Sequence, residues 1–244
     1  MRRDDLAKKD SITARVQGID AAALGDDLEA QGWSVLPGLL APRECDDIAS
    51  LYGQGAGFRS HVVMARHGFG RGEYRYFSYP LPAPVQQLRA ALYPLFVPIA
   101  NQWHERMGLA ARFPAEHADF IARCAAAGQA RPTPLLLQYG ADDYNCLHQD
   151  LYGEHVFPLQ VAVLLSAPGA DFTGGEFVLT EQRPRMQTRA AVVPLEKGDA
   201  VVFAVNSRPV RGTRGDYRVK LRHGVSKIIT GHRHTLGVIF HDAS

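Results

Sequence analysis

From Pro132 to the end, short apolar runs alternate with turn residues, and this texture restricts the chain more than any other feature. The runs are 135–139, 146–152, 157–166, 175–179, 189–194, 200–205, 219–230 and 233–241. Each is short and bounded by turn signals, so each reads as a strand. Eight strands at this spacing predict a sandwich or barrel, and a jelly roll fits because its two sheets form a mouth where a ligand can sit. The chain before Pro132 reads differently. Residues 19–31 predict a helix with Asp20 as N-cap and Gly32 as stop. A short strand follows from Trp33, and a second helix opens at Pro42, with proline in its first turn. Residues 61–65 and 74–78 look like strands joined by a glycine loop, 68–72. Residues 84–108 carry Leu88, Leu92, Leu95, Ile99 and Trp103 at helical spacing, with Pro94 and Pro98 expected to kink or break the helix. Residues 114–128 form another helical stretch, and residues 1–18 read as frayed or weakly helical.

The fold class expected is therefore mainly β (α+β). A double-stranded β-helix core spans 132–244, and an N-terminal region, 1–131, supplies supporting helices and loops on the substrate side. With 244 residues the chain is expected to form one domain. Its net charge of +2 argues against a general polyanion binder, so nucleic acid is not the expected partner. The three cysteines are odd in number and dispersed, which fits neither a disulfide framework nor a cysteine zinc site, and Cys146 reads as a packed thiol. No apolar stretch follows the charged opening residues and none elsewhere reaches about 18 residues, so a cytoplasmic location without membrane contact is expected.

Two imidazoles and one carboxylate can hold Fe(II) on one face and leave other positions open. Ten histidines in 244 residues, with the aspartates present, give roughly 0.7 His-x-Asp tripeptides by chance, so the motif alone is weak. The chain holds two: His117-Ala-Asp119 and His148-Gln-Asp150. Residues i and i+2 share a face in a strand but diverge in a helix, which favours His148 and Asp150 as the metal pair. Further on, His223 and Arg233 bracket a stretch that offers a second imidazole and a guanidinium able to grip a carboxylate with two parallel hydrogen bonds.

The order of these elements resembles the iron(II)- and 2-oxoglutarate-dependent oxygenases, in particular their prolyl-4-hydroxylase-like branch. Leu137-Gln-Tyr139-Gly140 looks like the family's tyrosine strand, and His148-Gln-Asp150 like its proximal ligand pair. The stretch from Pro194 through Gly198-Asp199 to Phe203 resembles the turn and strand before the distal ligand. His223-Gly-Val-Ser with Arg233-His-Thr235-Leu resembles the distal histidine and the 2-oxoglutarate anchor. The resemblance implies His148, Asp150 and His223 as iron ligands and catalytic centre. It implies Arg233 as the co-substrate anchor, with Thr235 and Tyr139 adding hydroxyls. Fe(II), 2-oxoglutarate and O2 are the implied cofactor and co-substrates. The implied reaction hydroxylates, or oxidatively demethylates, a C–H bond with release of succinate and CO2. A small molecule or a protein side chain is the expected substrate. Two other readings stay open: a non-catalytic jelly-roll module that binds a small acid or metal, and a nucleic-acid-directed oxygenase favoured only by the basic stretch 208–222. That stretch reads first as a solvated loop, and second as a charged rim beside the pocket. Arg71, Tyr74, Arg75 and Tyr76 are further candidates for the mouth, and oligomeric state is not legible.

Overall fold

The computed structural model describes residues 11–244. The expectation for 1–18 therefore lies outside the described residues up to residue 10; from Ser11 the chain enters helix α1 (Ile12–Gln17). Helix α2 (Ala21–Gln31) begins and ends where its punctuation requires. The Asp20 carboxylate accepts hydrogen bonds from the N–H groups of Ala22 and Ala23, and Gly32 closes the helix with φ 82°. Helix α3 (Pro42–Gln54) starts on proline, and the Glu44 carboxylate accepts from the Ala41 N–H at 2.7 Å. Helix α4 (Ala83–Arg106) runs through Pro94 and Pro98 without a break, so the break offered as one alternative to a kink does not occur. Both prolines lie on its exposed face, so the carbonyls they leave unbonded open to water. Helix α5 (His117–Ala126) completes the helical layer among the described residues. No helix there is long and apolar enough to cross a membrane.

The strands in chain order are β1 (Trp33–Leu36), β2 (Phe58–Val63), β3 (Gly70–Arg71), β4 (Glu73–Phe77), β5 (Leu135–Tyr139), β6 (Tyr144–His148), β7 (Leu159–Leu164) and β8 (Phe172–Gly174). They continue as β9 (Phe177–Gln182), β10 (Arg189–Val193), β11 (Ala200–Ala204), β12 (Ser207–Gly212), β13 (Gly215–Val225), β14 (Ile228–Gly231) and β15 (Arg233–Val238). A seven-stranded sheet has the order β1-β11-β7-β15-β5-β4-β2. A second sheet has the order β10-β9-β13-β6-β3, with β12 paired to β13, and β14 pairs β8 separately. Neighbouring strands are antiparallel throughout, as a double-stranded β-helix with supporting helices demands. Strands from before residue 132 enter both sheets. The larger sheet buries one face against α4, where Leu88, Leu92, Tyr93 and Phe96 join Leu136, Val161, Val163, Leu236 and Phe240 in one apolar core.

The basic stretch is not a loop. β12 and β13 form a hairpin with Pro209 opposite Arg218 and Gly212 opposite Gly215. Arg208 is fully buried and pairs with Glu181 at 2.6 Å, while Arg106 at the end of α4 holds Asp216 at 2.9 Å and Glu29 at 2.6 Å. Arg208 and Asp216 tie the hairpin to the helical layer, while Arg211, Arg214, Arg218, Lys220 and Arg222 are solvent-exposed, as expected of a solvated charge run.

Candidate active site

β6 and β13 run antiparallel with His148 directly opposite His223. Their rings lie 4.2 Å apart between centroids. β6 ends at His148, so Asp150 sits two residues past the strand rather than within it, yet it turns back to the same point. Its Oδ1 is 3.5 Å from His148 Nε2 and its Oδ2 is 3.4 Å from His223 Nε2. One ligand atom from each of the three residues lies within 4.8 Å of the others, a donor set of two imidazoles and a carboxylate that suits a divalent iron with open positions. The second nitrogen of His148 is committed: Nδ1–H donates to the Cys146 carbonyl at 2.7 Å, which leaves Nε2 as the free lone pair. His223 is packed between Phe203 and Phe177, with ring centroids 4.6 and 6.0 Å away.

Electrostatics prepare the same three groups for a cation. Burial alone would raise the Asp150 carboxyl, but the His223 hydrogen bond and the two imidazoles outweigh it and hold it well below the usual carboxylate range. Burial, with the neighbouring His148, pushes the His223 imidazole down. Both carboxylate oxygens are also held by protein. The Tyr152 hydroxyl donates to Oδ1 at 2.7 Å, and Gln160 Nε2 donates to Oδ2 at 2.9 Å. Burial and the Asp150 charge push the Tyr152 phenol up, so it stays a donor.

Arg233 opens β15 opposite Tyr139 of β5. Its side chain is 1% exposed, its Nη1 donates to Thr235 Oγ1 at 2.5 Å, and its Nε has no partner. No carboxylate among the described residues pairs with it. Burial pushes its pKa down to about 10. A buried, unpaired guanidinium is costly unless an anion completes it, and its fork matches a carboxylate. Tyr139 is fully buried. Its ring centroid lies 5.7 Å from the guanidinium, and its hydroxyl accepts from Asn145 Nδ2 at 3.3 Å, leaving its own hydrogen to donate. Thr235 orients Arg233 directly.

All six residues line one cavity of about 360 Å³. Tyr74, Tyr76, Tyr152 and Phe69 add aromatic walls, and Cys146 and Leu147 reach it from β6. Tyr76 donates to the Tyr152 hydroxyl at 2.9 Å, so a chain of hydroxyls runs from the wall to Asp150. Tyr74 and Tyr76 are where the sequence reading placed them. Arg75 is not: its guanidinium lies 4.7 Å from the Tyr52 ring centroid on the other side of the sheet. Cys146 is exposed rather than packed. Tyr152 and Gln160 were not foreseen. Tyr152 continues the His148/Asp150 alternation, the one signal that could have found it; Gln160 looks like any strand residue. The rejected pair diverges: the buried His117 ring bonds the Phe240 carbonyl at 2.8 Å, and Asp119 is exposed on α5. The charged-rim reading also fails for Arg211 and Arg214. The hairpin tip near Asp216 is seven residues of strand from His223, about 23 Å at the usual rise.

The segment after His148 is a partition. Asp150 and Tyr152 face the cavity, while Leu151, Gly153 and His155 face a second cleft of about 440 Å³ bounded by α4, α5 and the hairpin.

Comparison with known proteins fits this arrangement. Residues 72–243 match a family model described as an oxygenase catalysing oxidative methylation of damaged DNA. An uncharacterized protein of Mycobacterium tuberculosis is 50% identical over 168 residues, covering 69% of this chain and 72% of that protein. Among solved structures, a prolyl-4-hydroxylase of Pseudomonas putida superposes with TM-score 0.54 at 15% identity, covering 89% of this chain and 96% of that one. A prolyl hydroxylase of Trichoplax adhaerens, solved with a hypoxia inducible factor peptide fragment, gives TM-score 0.55 at 13% identity over 97% and 92% of the two chains. These two likenesses are of fold.

Proposed function

The chain belongs to the 2-oxoglutarate- and iron(II)-dependent oxygenases, and from that membership we propose its residue roles and its substrate. It is an enzyme that uses Fe(II), 2-oxoglutarate and O2. In our reading His148, Asp150 and His223 hold the iron, Arg233 grips the distal carboxylate of 2-oxoglutarate, and the substrate is a nucleobase carrying an oxidisable C–H bond. The observation that carries the co-substrate role is the fully buried guanidinium of Arg233 with no carboxylate partner, in the same cavity as the metal ligands. When bound, iron and 2-oxoglutarate supply with O2 the oxidising power that converts C–H to C–OH, releasing succinate and CO2.

The chain's own groups bind, orient and exclude water. Tyr152 and Gln160 fix the Asp150 carboxylate, so its lone pairs face the two imidazoles. The Cys146 carbonyl fixes the His148 tautomer. Thr235 aims the Arg233 fork, and Tyr139 has a hydroxyl hydrogen left for the same carboxylate. Phe177 and Phe203 keep the site dry. The substrate reading draws on the matched family's description and on the walls. Tyr74, Tyr76 and Tyr152 offer flat apolar faces, and Gln149 and Asn145 offer amide groups, a lining suited to a neutral planar ring. The net charge of +2 argues against non-specific polyanion binding and leaves such a selective pocket untouched. The three free cysteines support a reducing compartment, the cytoplasm.

The test is to incubate the iron-loaded enzyme with 2-oxoglutarate, O2 and a panel of methylated nucleosides and oligonucleotides. Succinate formation coupled to formaldehyde or to a product heavier by one oxygen supports the reading. Tight 2-oxoglutarate binding without succinate would leave a binding module instead.

A further inference from the structure

Among the large exposed apolar side chains, Phe69, Tyr144 and Leu147 lie on the two paired segments that frame the cavity, whereas Leu151 faces the second cleft and Tyr79, Met186, Val192 and Ile229 lie elsewhere. Phe69 is the most telling, because it lines the cavity and is still 49% exposed. It is not loosely held. The Phe69 N–H donates to the Met64 carbonyl at 3.2 Å, and the Phe69 carbonyl accepts from the Cys146 N–H at 2.9 Å. The next residue, Gly70, has φ 128°, and a Cβ there would lie 2.4 Å from the Tyr144 carbonyl oxygen, so only glycine lets the turn hug β6. The His67 ring stacks on Phe69 with 5.3 Å between centroids and 23° between planes. The result is a fixed two-ring step standing out of the rim. Arg66 and Arg71 flank it, both exposed, with Arg71 close enough to the Asp142 carboxylate to help hold its pKa down.

A free nucleoside held deep in the cavity would gain little from a rigid aromatic step on its outer rim. A strand would, because its next base has a face to lay on the ring and its phosphates carry charge for the two arginines. Building on the nucleobase reading, we propose that Phe69, backed by His67, is a stacking platform for the nucleotide adjacent to the one in the cavity.

The experiment compares a short single-stranded oligodeoxynucleotide carrying one methylated base beside 2-aminopurine with the same methylated base as a nucleoside. The wild-type enzyme should prefer the oligonucleotide in kcat/KM and quench 2-aminopurine on binding. Phe69→Ala should lower that preference on the order of tenfold to a hundredfold, the range for loss of one base–aromatic stack, and abolish the quench. Phe69→Trp should keep both. Phe69→Leu, which retains an apolar rim, should behave like Phe69→Ala. Fe(II) titration of each variant reports that its fold is intact. Equal wild-type turnover of oligonucleotide and nucleoside, or an unchanged preference and quench in Phe69→Ala, overturns the platform while the nucleobase reading stands. Turnover of neither substrate by the wild type overturns both.

Discussion

A single side chain, Arg233, sets the terms for both stability and function. Its guanidinium is buried without a counter-charge, so the folded protein carries a desolvation cost that only a bound anion offsets. Arg233→Ala should weaken 2-oxoglutarate by about 2–5 kcal/mol, the usual loss when one partner of a buried charge pair is removed. Fe(II) affinity should hardly change; isothermal titration of each ligand checks both, and unaltered 2-oxoglutarate affinity would remove Arg233 from the site. Arg233→Met should melt no lower than the wild type when 2-oxoglutarate is absent, since an apolar side chain relieves the burial cost. Tyr152→Phe removes one hydrogen bond to the Asp150 carboxylate, which we propose binds iron, and should weaken Fe(II) about tenfold or more in a competition titration with a chelator. That His148, Asp150, His223 and Arg233 share one cavity was legible because their residue types are rare in combination and their order is informative. Tyr152 and Gln160 were not, because a hydroxyl or amide becomes a carboxylate's partner only through the fold.

Among the elements, the junction of β6 with β13 matters most, and it turns on Gly224. The pairing shifts register between His223 and Val225, and a Cβ at Gly224 would lie 2.6 Å from the Asn145 carbonyl oxygen. Gly224→Ala should therefore push β6 away from β13 and separate His148 from His223. Iron binding should fall sharply while the far-ultraviolet circular dichroism stays close to wild type; full iron affinity in a folded variant would refute this. Local punctuation explains what was readable at this scale. Asp20 and Gly32 bound α2 where they were expected to, since cap and stop act through adjacent backbone. Pro94 and Pro98 do not end α4, because both lie on the face that meets water. β12 was missed for a related reason: a run such as Ser207-Arg-Pro-Val-Arg reads as loop until Glu181 is seen to neutralise Arg208 from a strand distant in sequence. Asp150 was reached through strand geometry, although β6 stops two residues earlier; extended backbone beyond the ladder keeps the same alternation.

Taken whole, the molecule depends on neutral histidines in its interior. His117 and His241 are both buried, and burial first, then the Arg89 charge, lowers each pKa from 6.5 to about 4. A folded pKa below the unfolded one means the unfolded chain binds more protons between those values. Their contribution is therefore complete above about pH 6.5 and is lost as pH falls toward 4, at about 3 kcal/mol for His117. Urea unfolding should show a falling midpoint across that window. His117→Gln, which retains a donor for the Phe240 carbonyl, should flatten the slope; an unaltered slope would mean that other groups dominate. The partition after His148 has a different reach. One stretch of backbone presents Asp150 and Tyr152 to the iron cavity and Leu151 and His155 to the cleft behind it. Two compartments that share a wall are thermodynamically linked. To whatever extent a molecule lodged against Leu151 shifts that backbone, it alters the grip on iron, and iron alters the grip on that molecule by the same factor.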